Sequence, residues 1–476
     1  MKIITVFFLL FLCAFSSSFC QEANTPWTLQ KCIDYALKNN IQIKQNILNV
    51  KLSEATLLQK KTDLFPSLNG TISNSYNNGK RVDPFTNSFI AGDWIQSQNF
   101  SLSTSIVLFG GFQHLNSIRQ GKYDLLASYQ DVLKIQNDVS LNIASAYLQI
   151  LFAEELLLIA KSQSEITKLQ VDRTQKLVDV GNLPKGDLLN ILAQQANETV
   201  TIVNAENNLS LAYLNLAQML NLESAENFLI ARPEISMPTE TILNATASQI
   251  YEAALIRQPE IKSAEFKLKS SEKAIAIARG RMLPSLSLSA SYGTGFSGAS
   301  KQLKSVTPIG AAPNGLITSK GDLVYAPLYD YNYETNPFKS QIDNNLNRNV
   351  GFYLSVPLFN NFQTYTSISR SKIAYENSEL TLKLQKDNLR KAIQQAYNDA
   401  FSSFKKYQAS YKAVNAVEES FKYMDQKFSL GAVTSTEYND SKNKLMKAKS
   451  ESLQSKYDYI FKLKVLDYYQ GKPITL

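Results

Sequence analysis

Leu108-Phe109-Gly110-Gly111-Phe112-Gln113 returns 250 residues later as Leu358-Phe359-Asn360-Asn361-Phe362-Gln363. Upstream of the first copy, Phe100, Leu102, Thr104, Ile106 and Leu108 alternate with Ser101, Ser103, Ser105 and Val107. Upstream of the second, Val350, Phe352, Leu354, Val356 and Leu358 alternate with Gly351, Tyr353, Ser355 and Pro357. Downstream of both, proline disappears for more than sixty residues, and Gly121 is the only glycine. A period of two that gives way at Gly-Gly or Asn-Asn to a long unbroken stretch predicts a strand passing into a helix.

The rest of the chain repeats in the same order. Leu64-Phe65-Pro66-Ser67-Leu68 returns as Met282-Leu283-Pro284-Ser285-Leu286, Ala146-Tyr147 as Ala396-Tyr397, and Val180-Gly181 with Asp187 as Leu430-Gly431 with Glu437. Internal repetition on this scale fixes architecture before any single residue is interpreted. Each half is expected to hold a helix, two strands and a long helical hairpin. Residues 21–221 form the first half and 248–471 the second, joined by 222–247 and followed by a tail at 472–476.

Pro26-Trp27-Thr28 opens the first helix with Thr28 as N-cap, and about 29–63 carries apolar residues at helical spacing up to Pro66. About 248–281 repeats it, with Thr246 and Gln249 as a capping box. The strands that follow each proline are legible as Leu68, Gly70, Ile72, Asn74 and Tyr76, and as Leu286, Leu288, Ala290 and Tyr292, with Ser or Asn at most intervening positions. Four segments of roughly ten residues, aliphatic or aromatic on one face and serine-rich on the other, have the length and pattern of strands that cross an outer membrane. The long helices, about 112–179 and 362–430, each turn at a glycine and return for about 35 residues. They imply coiled-coil packing through Leu125, Leu126, Val132, Leu133, Val139, Ile143 and Tyr147. The repeat offset rises from 218 to 250 between the strands of the second half, so the segment at about 297–347 is an insertion of 32 residues relative to Asn77–Gln96. It is rich in Gly, Asn, Asp and Pro and reads as an irregular loop on the membrane face away from the helices.

The ends and the composition narrow the function. Met1-Lys2, an apolar run from Ile3 to Phe15 and Ser16-Ser17-Ser18-Phe19-Cys20 read as a signal peptide spanning 1–20, cut before Gln21. The rival reading lipidates Cys20, although Phe19 is bulky for that signal. Either reading exports the chain. Cys32 then has no intrachain disulfide partner, and a lone His114 with one cysteine does not make a zinc site. The formal charge of +8 is spread along the helices with no basic stripe, which speaks against nucleic acid. Leu141–Ala160 comes nearest to a membrane-spanning helix and is interrupted by Glu154 and Glu155. No nucleophile with its base, phosphate loop or metal cluster is legible, so the chain reads as a non-enzyme without cofactor.

Four strands cannot close a barrel, and open edges are not tolerated in lipid, so the chain must pair with further copies of itself. With its strands and long helices duplicated, the chain resembles the TolC-like outer membrane efflux proteins across nearly all of its mature length. The resemblance rests on the two helix-to-strand joints, the two strand-to-helix joints and the Val-Gly-x5-Asp and Leu-Gly-x5-Glu helix tips. It implies a homotrimer with a twelve-stranded β-barrel in the outer membrane, continued by a periplasmic α-helical coiled-coil barrel. It also implies a periplasmic adaptor, an inner-membrane pump, and passive export for drug efflux or protein secretion. Family members narrow the tunnel with carboxylates on the second returning helix. The matching positions here are Glu437 and Asp440, with Asp187 the counterpart of Glu437 in the first half. Glu at the first position is longer than the family's Asp. The turns bearing Gly181, Pro184, Gly186, Gly431 and Thr434 are the expected adaptor contacts. An exported coiled-coil scaffold or adhesin with a small β domain is the alternative that the sequence leaves open.

Overall fold

The computed structural model describes residues 26–224, 228–233 and 245–475. The expected signal peptide, Cys20 and most of the inter-repeat segment lie outside the described residues. The element order is written twice. The first series is α1 (Leu29–Asn39), α2 (Ile41–Thr62), β1 (Ser67–Asn77), β2 (Arg81–Val82), β3 (Phe89–Ile90), β4 (Ile95–Gly110), α3 (Gln113–Asp179) and α4 (Lys185–Met219). The second is α5 (Ala247–Arg257), α6 (Pro259–Gly280), β5 (Ser285–Ser297), β6 (Lys301–Ile317), β7 (Leu323–Thr335), α7 (Phe338–Asn344), β8 (Asn347–Ser355), α8 (Gln363–Ser429) and α9 (Ser435–Gln470). Helices α3 and α8 have 67 residues each, which at ~1.5 Å per residue is roughly 100 Å.

The opening helix of each half is two helices, not one. Asn40 leaves the helical region at ψ 129°, and its side chain accepts from the amides of Gln42 and Ile43, so the first helix ends and the second is capped at one residue. Gln258 takes ψ 126° because Pro259 follows it, and a residue before proline is excluded from the helical region. The caps themselves are as the sequence predicts: Thr28 accepts from Lys31 N, and Thr246 and Gln249 close a capping box.

One compact unit comprises the described residues up to Glu54 with Tyr123–Lys269 and Glu376 onward. Its larger core packs Leu29, Ile33 and Ala36 of α1 against Ile143, Tyr147 and Ile150 of α3, Leu216 of α4, and Tyr457 and Ile460 of α9. A smaller core packs Ile250 and Ala254 of α5 with Ile393 and Ala400 of α8 and Leu466 of α9. Of the anticipated seam, Val132, Val139, Ile143 and Tyr147 are buried, while Leu133 is exposed. Trp27 bridges Ile230 in parallel, and Tyr147 OH lies 2.6 Å from Ala231 O and 3.1 Å from Trp27 O. Phe228 to Ala231 of the inter-repeat segment are therefore stitched onto the larger core. The apolar stretch of α3 is long enough to cross a membrane, but half of it is buried here. Glu154 and Glu155, which interrupt it, accept from the hydroxyls of Tyr213 and Tyr457.

The second unit, Ala55–Lys122 with Ser270–Tyr375, contains an antiparallel four-stranded sheet in the order β1-β4-β5-β8. Its register opposes Ile72 to Phe100, Leu102 to Tyr292, and Leu288 to Ile106 and to Phe352. Directly opposed residues point to the same face, so these side chains form one apolar face. Ser73↔Asn99, Ser103↔Ser291 and Ser289↔Gly351 form the other. β1 and β8 are open edges. β8 stops at Ser355, short of the expected Leu358, because Pro357 cannot donate to a ladder. β4 and β5 run longer than expected, to Ile95 and Ser297.

The inserted segment is not irregular. β6 and β7 pair as an antiparallel hairpin with three register shifts, and α7 follows. Pro308, Pro313 and the shifts obscure its alternation in sequence. The shorter counterpart in the first half also holds a small hairpin, β2–β3.

At each strand-to-helix joint two successive residues take positive φ: Gly111 (61°) and Phe112 (61°), then Asn361 (50°) and Phe362 (59°). A Cβ on Gly111 would lie 2.2 Å from Gly280 O. The first joint thus needs glycine for close approach as well as for φ, whereas the second tolerates asparagine.

Candidate functional site at the helix tips

The turns α3–α4 and α8–α9 are two versions of one construction. Gly181 N donates to Val178 O and Asn182 N to Leu177 O; Gly431 N donates to Phe428 O and Ala432 N to Lys427 O. Both are Schellman motifs, with glycine at φ 78° and 73° in the left-handed region that terminates a helix. The glycines are set by the need to stop a helix, which is why their spacing was readable in the sequence.

The returning helices start differently. Pro184 stands at the N-cap of α4 with no side-chain cap, and Gly186 lies in its exposed first turn. Thr434 caps α9 in a full capping box: its Oγ1 accepts from Glu437 N at 3.2 Å, and Glu437 Oε2 accepts from Thr434 N at 2.9 Å. The Thr434 amide and hydroxyl together hold the Glu437 carboxyl below its usual range.

The three candidate carboxylates do not converge within one chain. Glu437 folds back on its own helix start. Asp440 pairs with Lys444 at 2.6 Å, one helical turn on, with both side chains more than 60% exposed. Asp187, the counterpart of Glu437, accepts at 2.8 Å from the hydroxyl of buried Ser435. That bond ties the first turn of α4 to the first turn of α9, so the two tips are hydrogen-bonded to each other. Among the described residues no group of three or more His, Cys, Asp and Glu is placed to hold a metal.

Several residues that sequence reasoning passed over complete the site. Arg173 donates to Ser429 O at 3.0 Å, linking α3 to the C-terminal end of α8. Tyr438 is buried and stacks on Phe428 at 4.4 Å between ring centroids, with Phe421 at 5.5 Å. Below it Lys442, 1% exposed, donates to Glu198 Oε1 at 3.1 Å, Gln163 O at 3.2 Å and Thr167 Oγ1. These partners lie on α3 and α4, so one ammonium pins α9 to the first-half hairpin. Phe428 and Tyr438 carried a faint signal as aromatics flanking a turn; Lys442 carried none, since lysine in a helix ordinarily reads as solvated. A cleft of about 580 Å³ lies between the turns, lined by Arg173, Leu177, Asn182 and Asp187 on one side and Phe428 to Ser435 with Glu437 on the other.

A family profile described as outer membrane efflux protein matches residues 32–222 and again 250–467, one block in each half of the chain. The chain belongs to the outer membrane efflux protein family. The outer membrane protein TolC of Escherichia coli K12 is 23% identical over 445 residues, covering 91% of this chain and 80% of that protein. The alkaline protease secretion protein AprF of Pseudomonas aeruginosa is 22% identical, covering 83% and 75% respectively. Among solved structures, VceC of Vibrio cholerae superposes with a TM-score of 0.74 at 13% identity, over 94% of this chain and 96% of its own. The CmeC outer membrane channel of Campylobacter jejuni gives 0.73 at 17%, over 93% and 85%. This efflux-family chain accordingly has the TolC-like fold with its two internal repeats, and it is an outer-membrane protein with a helical extension into the periplasm.

Proposed function

We propose that this protein is the exit duct of a tripartite efflux or type I secretion system, working as a homotrimer. The observation that carries this reading is the four-stranded sheet with one apolar face, one serine-rich face and two unpaired edges. In lipid such edges must be paired. Three copies joined β8 to β1 give twelve strands, with serine toward a water-filled lumen. Transport through the duct is passive, and its energy comes from an inner-membrane pump reached through a periplasmic adaptor. The exposed turns at Gly181, Pro184, Gly186, Gly431 and Thr434 are the adaptor contacts.

The tips form the gate. In the trimer Glu437 and Asp440 of three chains, with Asp187 beside them, surround a narrow mouth whose field favours cations. Opening separates α8–α9 from α3–α4, and the first bond to yield is Ser435 to Asp187.

Single-channel recording in planar bilayers tests the reading, with the native chain set against a Glu437→Ala, Asp440→Ala double variant. Small cation-selective currents that lose selectivity in the variant support duct and gate together. Unchanged currents retain the duct and remove the carboxylates from the gate. Absence of current from an inserted oligomer, in native chain and Ser435→Ala alike, would favour a scaffold over a duct.

A further inference from the structure

The hairpin β6–β7 is amphipathic, and among the described residues nothing buries its apolar side. Its register opposes Tyr333 to Leu303, Tyr331 to Val306, Tyr329 to Pro308 and Tyr325 to Pro313, so four tyrosines alternate along β7 on one face. Tyr329 and Tyr331 stand 6.3 Å apart between ring centroids. All four tyrosines are 42–59% exposed, and Leu303 and Val306 opposite them are 50% and 41% exposed. Toward the base the opposite face is polar: Gln302 Nε2 donates to Glu334 at 3.0 Å, Lys304 pairs with Glu334 at 3.5 Å, and Thr307 faces Asp330; farther out it carries Leu328 and Ala326. A two-stranded ribbon with a bare aromatic face is marginal in water, and an exposed apolar patch of this extent marks an interaction site.

The occupant follows from where the ribbon stands. The sheet's last rungs at this end are Ser97↔Ser297 and Asn77↔Ile95, and β6 begins beyond them at Lys301. β6 has 17 residues, which at ~3.3 Å each is roughly 55 Å, so most of the ribbon lies past the segment that spans lipid. Its base is fixed. Asn336 N donates to Ser300 O at 2.8 Å; Ser297 N donates to Gln341 Oε1 at 2.9 Å; Gln341 Nε2 returns a bond to Ser297 O at 3.1 Å. The ribbon therefore leaves from the end of β5, one short helix before the open edge strand β8 that the next copy must pair.

We propose that the tyrosine face of β6–β7 packs on the same hairpin of the neighbouring copy, so that the hairpins form a collar at the outer mouth of the duct. Tyrosine suits this role, since its ring fills the contact while its hydroxyl keeps a hydrogen bond. The proposal rests on the trimeric duct and adds to it an interface outside the barrel.

The test places the photocrosslinker p-benzoylphenylalanine at Tyr329, or at Asp330 on the polar face, in the full-length protein purified and reconstituted in lipid vesicles. Oligomer mass is measured separately without irradiation. Chain-to-chain adducts from position 329, at least fivefold above those from position 330, are the expected result. A trimer that gives lipid adducts or none from position 329, or equal yields from both faces, overturns the collar and leaves the duct standing. A monomer overturns both.

Discussion

Lys442 and Glu198 form an ion pair 3.1 Å long, with both side chains at least 94% shielded from water, between the two halves of the chain. Thr167 donates to the second carboxylate oxygen of Glu198, and Gln194 Nε2 donates to the first at 2.9 Å. Burial pushes the Lys442 ammonium below its usual range, and Glu198 only partly offsets this. A pair so enclosed adds little net stability, but losing one partner strands the other charge in the core. Lys442→Met should therefore cost about 3–5 kcal/mol, and adding Glu198→Leu should recover most of it. Thermal unfolding of the native chain and the two variants in detergent checks this, and equal destabilisation by the single and double variants would contradict it.

Ser435→Ala removes the hydrogen bond from the α9 turn to Asp187. A net loss of about 1 kcal/mol per such bond corresponds to roughly a fivefold rise in the separated-tip population. Open probability in bilayer recordings should rise by that order, with unit conductance unchanged, because the lumen itself is untouched.

The capping box at the α9 tip carries a pH dependence of definite sign. The Glu437 carboxyl is held below its unfolded value by the Thr434 amide and hydroxyl. Its contribution is complete above the ordinary glutamate range and is lost as pH falls through the depressed value. Hydrogen exchange at the Thr434 to Tyr438 amides should speed on acidification, beyond the intrinsic change, over that window alone. Glu437→Gln retains the box and should abolish the dependence.

Gly111→Ala would place a methyl group 2.2 Å from Gly280 O while the backbone holds φ at 61°. The joint between β4 and α3 must then move, and the yield of assembled, heat-resistant oligomer should fall sharply. Gly186→Ala is the control: nothing lies within 4 Å of its added Cβ, and stability should change by no more than about 1 kcal/mol, in the favourable direction.

Cys32 is fully buried on α1, and burial pushes its thiol up to about 12. It should resist alkylation in the folded protein at neutral pH and react at once in denaturant. Mass measurement before and after unfolding reads this directly.

Much of the fold was legible because its signals are local. Ser-alternating strands, Gly181 and Gly431 at the helix stops, and the Thr246 box each act over a few residues, and repetition doubles the strands and the helix stops. The split at Pro259 was equally local and was overlooked because helical periodicity continues across it. The hairpin β6–β7 is hidden by its three register shifts, two of which reverse the alternation along β6.

By itself the sequence determined the two halves, the four spanning strands, the long helices and the need for further copies, since all of these follow from periodicity, chain breakers and the intolerance of lipid for open edges. Tertiary structure alone decided which charged groups join the two halves. Lys442 and Glu198 are 244 residues apart and Asp187 and Ser435 are 248 apart. Glu437 caps its helix through the local Thr434-x-x-Glu437 spacing, but which carboxylates pin the two halves together is set by packing between distant segments, and no local spacing encodes it.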